Sequence, residues 1–143
     1  MILTKRYRFS ASHRLHSPAL SERENEETYG KCNNPYGHGH NYVLEVSVQG
    51  MPDSKSGRVI ALRDLDALVD AGVLRVYGGK NMNFDIDAFA GERVPTTENV
   101  AADIRARLEA GWPETGAAFG HTPRMPALAG VRLFETRKNI FDI

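Results

Sequence analysis

The chain has 143 residues, and its 18 basic and 18 acidic side chains cancel to a formal net charge of zero. That length fits one domain over residues 1–143, with a core large enough to need no disulfide or structural metal. The charge balance argues against a protein that coats nucleic acid or an anionic membrane, since both partners favour a basic excess.

Met1 to Phe9 alternates charged and apolar residues and has no apolar run of the kind a signal peptide needs. The alternation from Leu3 to Ser12 predicts a strand with Leu3, Tyr7, Phe9 and Ala11 on one side and Lys5 breaking the pattern. Ser17 to Thr28 is polar and charge-rich, which predicts a loop or a short exposed helix. Tyr42 to Gln49 is the clearest strand, with Tyr42, Leu44, Val46 and Val48 alternating against Val43, Glu45, Ser47 and Gln49. Pro52, Asp53 and Gly57 mark a turn, and Arg58 to Leu62 is expected to return as a second strand of a hairpin. Leu65, Leu68, Val69 and Val73 form a helical stripe within Asp64 to Val73, and Gly78-Gly79 breaks regular structure after it.

Val100, Ile104 and Leu108 recur at spacing four in a second helix, capped by Thr96 or Thr97. Pro113 to Pro126 is rich in Gly, Pro and Ala and predicts a loop; Val131 to Glu135 is expected as the last strand, ending in a polar bend at Arg137 to Asn139. The order β, loop, ββ, α, loop, α, β predicts an α+β domain on a largely antiparallel sheet. No stretch approaches the roughly 20 apolar residues of a membrane helix. Cys32 is the only cysteine, so an intramolecular disulfide is impossible and a reducing cytoplasm is the expected location.

Four of the five histidines fall in two groups, His13 with His16 and His38 with His40. In Gly37-His38-Gly39-His40 the two imidazoles are two residues apart, so an extended backbone projects both to one face. With His13 as a third nitrogen, the set matches the three-ligand pattern of catalytic zinc, which polarises a substrate oxygen or acidifies a bound water. The alternative is that the histidines decorate a glycine-rich loop. His16 reads as a surface or supporting group. Cys32, six residues before His38, reads equally as a thiol activated beside a cation or as a buried, inert side chain.

The runs Phe9-Ser-Ala-Ser-His-Arg-Leu15, Tyr29-Gly-Lys-Cys-Asn-Asn-Pro-Tyr-Gly-His-Gly-His-Asn-Tyr42, Pro95-Thr-Thr-Glu-Asn-Val-Ala101 and Phe134-Glu-Thr136 resemble the 6-pyruvoyltetrahydropterin synthase family. That family includes the 6-carboxytetrahydropterin synthases of queuosine biosynthesis. The resemblance implies a tunnelling fold: an antiparallel sheet with helices packed on one face, assembled into a trimeric barrel and usually a homohexamer. It implies that His13, His38 and His40 hold Zn2+, that Cys32 is catalytic, and that Glu135 grips the amino-pyrimidine end of a pterin. Thr96, Thr97 and Glu98 match residues that line the pterin pocket. The implied activity is that of a carbon–oxygen lyase taking 7,8-dihydroneopterin triphosphate, or a related dihydropterin, to a side-chain-modified pterin. Lys5, Arg14, Lys31 and Arg137 are candidate partners for the triphosphate.

One departure stands out. Active members usually carry an Asp-His pair just before Lys-Asn, completing a proton relay with the cysteine. Here Gly78 and Gly79 precede Lys80-Asn81. Neither glycine can donate or accept a side-chain proton, so the general acid–base contribution should fall by about 10²–10⁴-fold. The chain could therefore run a different pterin reaction with Cys32 alone, recruit His121, or be a divergent paralogue that binds zinc and a pterin without turnover.

Overall fold

Two long strands set the frame, in a computed structural model that describes residues 1–113 and 125–143. Strand β1 (Ile2–His13) and strand β2 (His38–Gln49) pair antiparallel along their whole length, from Ile2 opposite Gln49 to His13 opposite His38. Along β1 the odd positions Tyr7, Phe9, Ala11 and His13 are buried, and along β2 the even positions Tyr42 to Val48 are buried. This two-residue period is what a sheet with one covered face requires. Lys5 keeps its place in the alternation because its ammonium reaches Asp66 at 2.5 Å.

The link between the two strands contains helix α1 (Glu22–Tyr29) and a 3₁₀ turn at Gly30–Asn33. A capping box explains why so polar a segment is helical: Ser21 Oγ accepts from the Glu24 N–H, and Glu24 accepts from the Ser21 N–H. After β2 come α2 (Leu62–Val69), a π-helical turn (Asp70–Leu74), α3 (Arg75–Tyr77), β3 (Lys80–Asn81), α4 (Met82–Asp85) and a 3₁₀ turn at Asp87–Phe89. Helix α5 (Thr97–Gly111), β4 (Ala127–Phe134) and β5 (Ile140–Asp142) complete the chain. The strand order is β3-β1-β2-β4-β5; every pairing is antiparallel except that of β3 with β1.

The core joins the covered face of the sheet to the apolar stripes of the helices. Phe9, Tyr42, Leu44, Val46, Val131 and Leu133 pack in one cluster with Leu65, Val69, Val73, Val100, Ile104 and Leu108. Each fully buried aliphatic side chain in it contributes about 1.5–3 kcal/mol of burial free energy. Phe9 stacks on Tyr42 with ring centroids 5.1 Å apart. The opposite face of the sheet is polar: Thr4 bonds Ser47, Arg6 bonds Glu45 and Ser10 bonds Asn41 across the β1–β2 pair.

Two expectations are corrected. Arg58 to Leu62 is not a strand; Val59 and Ile60 form a bend that leads into α2. Both edges of β2 are already occupied, by β1 and β4, so no place remains for a hairpin partner. The turn closes on itself instead, with Asp53 accepting from the Lys55 and Ser56 N–H groups and donating its own N–H to the Arg58 carbonyl. The expected last strand starts earlier, at Ala127, and it is not the last, because the chain turns at Arg137 to Asn139 and returns as β5. Either threonine was a possible cap for α5, and it is Thr96 whose side chain accepts from the Asn99 N–H. No helix among the described residues is long and apolar enough to cross a membrane.

The glycine pair is built into its surroundings. A Cβ at Gly78 would stand 2.5 Å from the Leu74 carbonyl oxygen, which accepts the Gly78 N–H at 2.9 Å. Gly79 has φ of +72°, a region that L side chains rarely enter, and donates its N–H to Ser10 O. Gly78→Ala should therefore lower stability by about 1–3 kcal/mol. Gly91→Ala, where nothing lies within 4 Å of the added carbon, should change it little; urea denaturation of the two variants makes the comparison.

Candidate active site

The β1–β2 register brings the histidines together. His13 ends β1 directly opposite His38, the first residue of β2, and His40 lies opposite Ala11. All three side chains share the covered face, and their nearest donor atoms lie within 4.8 Å of one another. Gly37 makes the entry to β2 possible. Its φ is +69°, and a Cβ there would meet the His13 carbonyl oxygen at 2.8 Å.

His13 is fully buried, and its Nδ1 lies 2.8 Å from the Pro95 carbonyl oxygen. A carbonyl only accepts, so Nδ1 carries the proton and Nε2 presents a lone pair. That lone pair faces His38 Nε2 at 3.2 Å. His38 Nδ1 and His40 Nε2 are buried with no hydrogen-bond partner among the described residues. Orphaned buried nitrogens of this kind call for an explanation. For His40 Nε2 a cation held among the three rings, with His13 oriented by a backbone carbonyl, supplies one. The residues therefore fit a zinc ion.

Glu135 closes one side of the cluster. Its side chain is 11% exposed, and Oε1 stands 3.5 Å from His13 Nε2 and 3.8 Å from His40 Nε2. Asn139 Nδ2 donates to Glu135 Oε2 at 2.7 Å and to Thr97 Oγ1 at 2.9 Å. One amide thus ties the carboxylate after β4 to the first residue of α5. Thr97 is buried beside this contact; Thr96 is engaged as the helix cap. Glu98 is exposed in the first turn of α5, where its charge complements the helix dipole. It shares in none of the hydrogen bonds that hold the cluster.

Cys32 sits in the 3₁₀ turn, half-buried. Its carbonyl accepts the Leu15 N–H at 2.8 Å, and Arg14 bonds both the carbonyl and the side-chain oxygen of neighbouring Asn33. His16 Nδ1 donates to the same Asn33 side chain. Burial, reinforced by the charge of Glu135, pushes the Cys32 thiol above its ordinary value. That direction belongs to the metal-free protein; a nearby cation would act on the thiol in the opposite sense. The glycine pair lies alongside β1, with Lys80 opposite Ala11 and Asn81 opposite Ser12. Lys5 is paired with Asp66 on α2, whereas Arg14 supports the cysteine turn and Lys31 and Arg137 are exposed. His121 lies outside the described residues. A cavity of about 690 Å³ is lined by Leu3, Arg58, Val59, Ile60, Leu62 and Asp64, away from this chemistry.

A family model described as 6-pyruvoyl tetrahydropterin synthase matches residues 2–143. The chain belongs to the 6-pyruvoyl tetrahydropterin synthase family. It is 43% identical over 140 residues to the 6-pyruvoyl tetrahydrobiopterin synthase of Poecilia reticulata, covering 96% of this chain and 86% of the relative. It is 40% identical over 138 residues to the Homo sapiens protein of the same name, covering 96% and 87%. The solved structure of Caenorhabditis elegans 6-pyruvoyl tetrahydropterin synthase superposes with a TM-score of 0.84 at 38% identity, covering all of this chain and 94% of that one. The mixed α and β architecture of this chain is therefore the family's fold.

Sequence reasoning overlooked three groups that hold the site. The Pro95 carbonyl has no side-chain signal at all. Asn139 could have been noticed as an amide four residues after Glu135, at the end of the expected bend. Asn83, whose Oδ1 accepts the Arg14 N–H while its Nδ2 donates to the Arg14 carbonyl, sits just past the Lys80-Asn81 landmark.

Burial holds the titration of His13 and of His38 below the ordinary 6.5. The folded protein keeps both neutral, so the unfolded chain takes up protons first as the pH falls. Stability of the metal-free protein should be full above about pH 6.5 and decline below it, toward the lowered folded-state values. Urea midpoints measured from about pH 7.5 down to about pH 5.5 check this sign; a midpoint that rises on acidification would contradict it.

Proposed function

We propose that this chain is a zinc-dependent pterin enzyme that converts 7,8-dihydroneopterin triphosphate, or a related dihydropterin, into a side-chain-modified tetrahydropterin. The observation that carries the proposal is the convergence of three imidazoles and one nearly buried carboxylate at the His13 end of the β1–β2 pair. His13, His38 and His40 would hold the ion. When bound, it would act as a Lewis acid toward the oxygens of the substrate side chain, making the adjacent carbon-bound protons easier to remove.

The other roles belong to the chain's own groups. Glu135, held by Asn139, accepts two parallel hydrogen bonds from the guanidine-like edge of the pterin, the geometry in which a carboxylate binds most strongly. Thr97 steadies Asn139 and through it the carboxylate. Cys32 moves a proton at the substrate side chain, and its Sγ must first give up its own. The Arg14–Asn33 contacts hold the cysteine turn in place for that step. By analogy with the family, the polar face of the sheet would line the interior of a trimeric barrel, doubled into a hexamer; light scattering on the purified protein reads that mass directly.

The glycine pair supports a second reading, a pterin- and zinc-binding paralogue without turnover. The Leu74 carbonyl leaves no room for a side chain at Gly78, so this backbone cannot simply regain an aspartate there.

Zinc-loaded protein incubated with 7,8-dihydroneopterin triphosphate, with products identified by mass, separates the two. Formation of a pyruvoyl or carboxy tetrahydropterin, reduced about 10²–10⁴-fold in Cys32→Ala, is expected. Recovery of unchanged substrate bound to the protein would establish the second reading instead.

A further inference from the structure

Strand β1 runs out of backbone partners at His13, yet the next residue keeps both of its main-chain hydrogen bonds. The pairing with β2 ends at His13 opposite His38, and that with β3 ends at Ser12 opposite Asn81. From there the side chain of Asn83, on α4, takes over. Its Oδ1 accepts the Arg14 N–H at 2.7 Å, and its Nδ2 donates to the Arg14 carbonyl at 3.0 Å. A primary amide offers an acceptor and a donor in one plane, as a peptide unit does, so it can stand in for a strand partner. Asn83 is itself fixed: its own N–H donates to Asn81 Oδ1 at 3.0 Å, and Met82 beside it is fully buried.

The Arg14 side chain carries this hold across to the cysteine turn. Its Nε donates to the Asn33 carbonyl and its Nη2 to Asn33 Oδ1, both at 3.1 Å. The two donors belong to one planar guanidinium, so Asn33 is held in orientation as well as in position. Leu15 N–H donates to the Cys32 carbonyl at 2.8 Å, and His16 Nδ1 to Asn33 Oδ1 at 3.1 Å. The three residues after His13 thus all grip the turn that carries Cys32, and Asn83 anchors the first of them.

On the reading of Cys32 given above, we infer that Asn83 is a positioning residue for that thiol and acts through Arg14. The contacts run from α4 to the backbone of residue 14, along the Arg14 side chain to Asn33, and so to the neighbouring Cys32. They begin just past Gly78-Gly79. The segment that lacks side chains for a proton relay therefore still sets where the remaining thiol stands. Asn83 bonds residue 14 through its backbone alone, whereas the onward step uses its side chain alone, so the two links can be cut separately.

Alkylation of Cys32, the only thiol, reads the turn without zinc, pterin or turnover. Asn83→Ala should speed the reaction of the folded protein with iodoacetamide about tenfold, because two restraining hydrogen bonds are lost and the turn opens more often. Asn83→Asp, which keeps the acceptor for the Arg14 N–H, should fall between Asn83→Ala and wild type. Arg14→Ala should match Asn83→Ala, and the double variant should react no faster than Arg14→Ala alone. Independent effects would multiply instead, and that result overturns the route through Arg14. Val48→Ala, a core truncation at the far end of β2, should leave the rate at the wild-type value; an equal acceleration there assigns the effect to general unfolding and overturns the inference. A wild-type rate in Asn83→Ala overturns it outright. Where the wild-type protein turns over a dihydropterin, Asn83→Ala should lower kcat about tenfold at unchanged KM, and an unchanged kcat counts against the inference. The expected alkylation pattern in a protein without turnover upholds the coupling and removes only the reading of Cys32 as a catalytic thiol.

Discussion

Everything in the site depends on the register of one strand pair. His13 and His38 are neighbours only because Ile2 lies opposite Gln49 and the pairing runs without a bulge to the other end. Side chains alternate across a strand, so a slip of one residue would send the β2 histidines to the far face, away from His13. The slip would also carry Tyr42, Leu44, Val46 and Val48 out of the core. The apolar stripe of β2 thus selects the register, and the histidines at its start are placed by the same choice. Hydrophobic burial in the middle of the sheet fixes the chemistry at its end.

Much of this was legible in the sequence, for a physical reason. Strands β1 and β2 have one covered face, and a covered face imprints a two-residue period on the residues that make it. The stripes of α2 and α5 carry their own period in the same way. The hairpin expected at Arg58 to Leu62 failed because local alternation says nothing about whether a sheet edge is free. Strand β5 was overlooked because three residues are too few to show a period. At the site, the clustered histidines and Glu135 were visible as residue types, whereas the groups that orient them were not. A backbone carbonyl such as that of Pro95 has no letter of its own, and Asn139 becomes informative only once the turn brings it back to Glu135.

The pair Gly78-Gly79 is where sequence and structure together say more than either alone. From the sequence it is two missing side chains. In the structure, the Gly78 N–H closes onto the Leu74 carbonyl at the end of a π-helical turn, and the Gly79 N–H docks onto Ser10 of β1. The segment is thus shaped around the absence of side chains. A side chain placed at Gly78 would have to bring a different backbone geometry with it.

The polar face of the sheet bears on all of this in a different way. Thr4 with Ser47, Arg6 with Glu45 and Ser10 with Asn41 are matched pairs that exist only in the native alignment. The strand pairing is therefore encoded twice, once in oil on the covered side and once in complementary hydrogen bonds on the other. Such duplication works like a checksum. A mutation that blurs the message on one face leaves an independent copy on the other, and the histidine cluster inherits the tolerance of both.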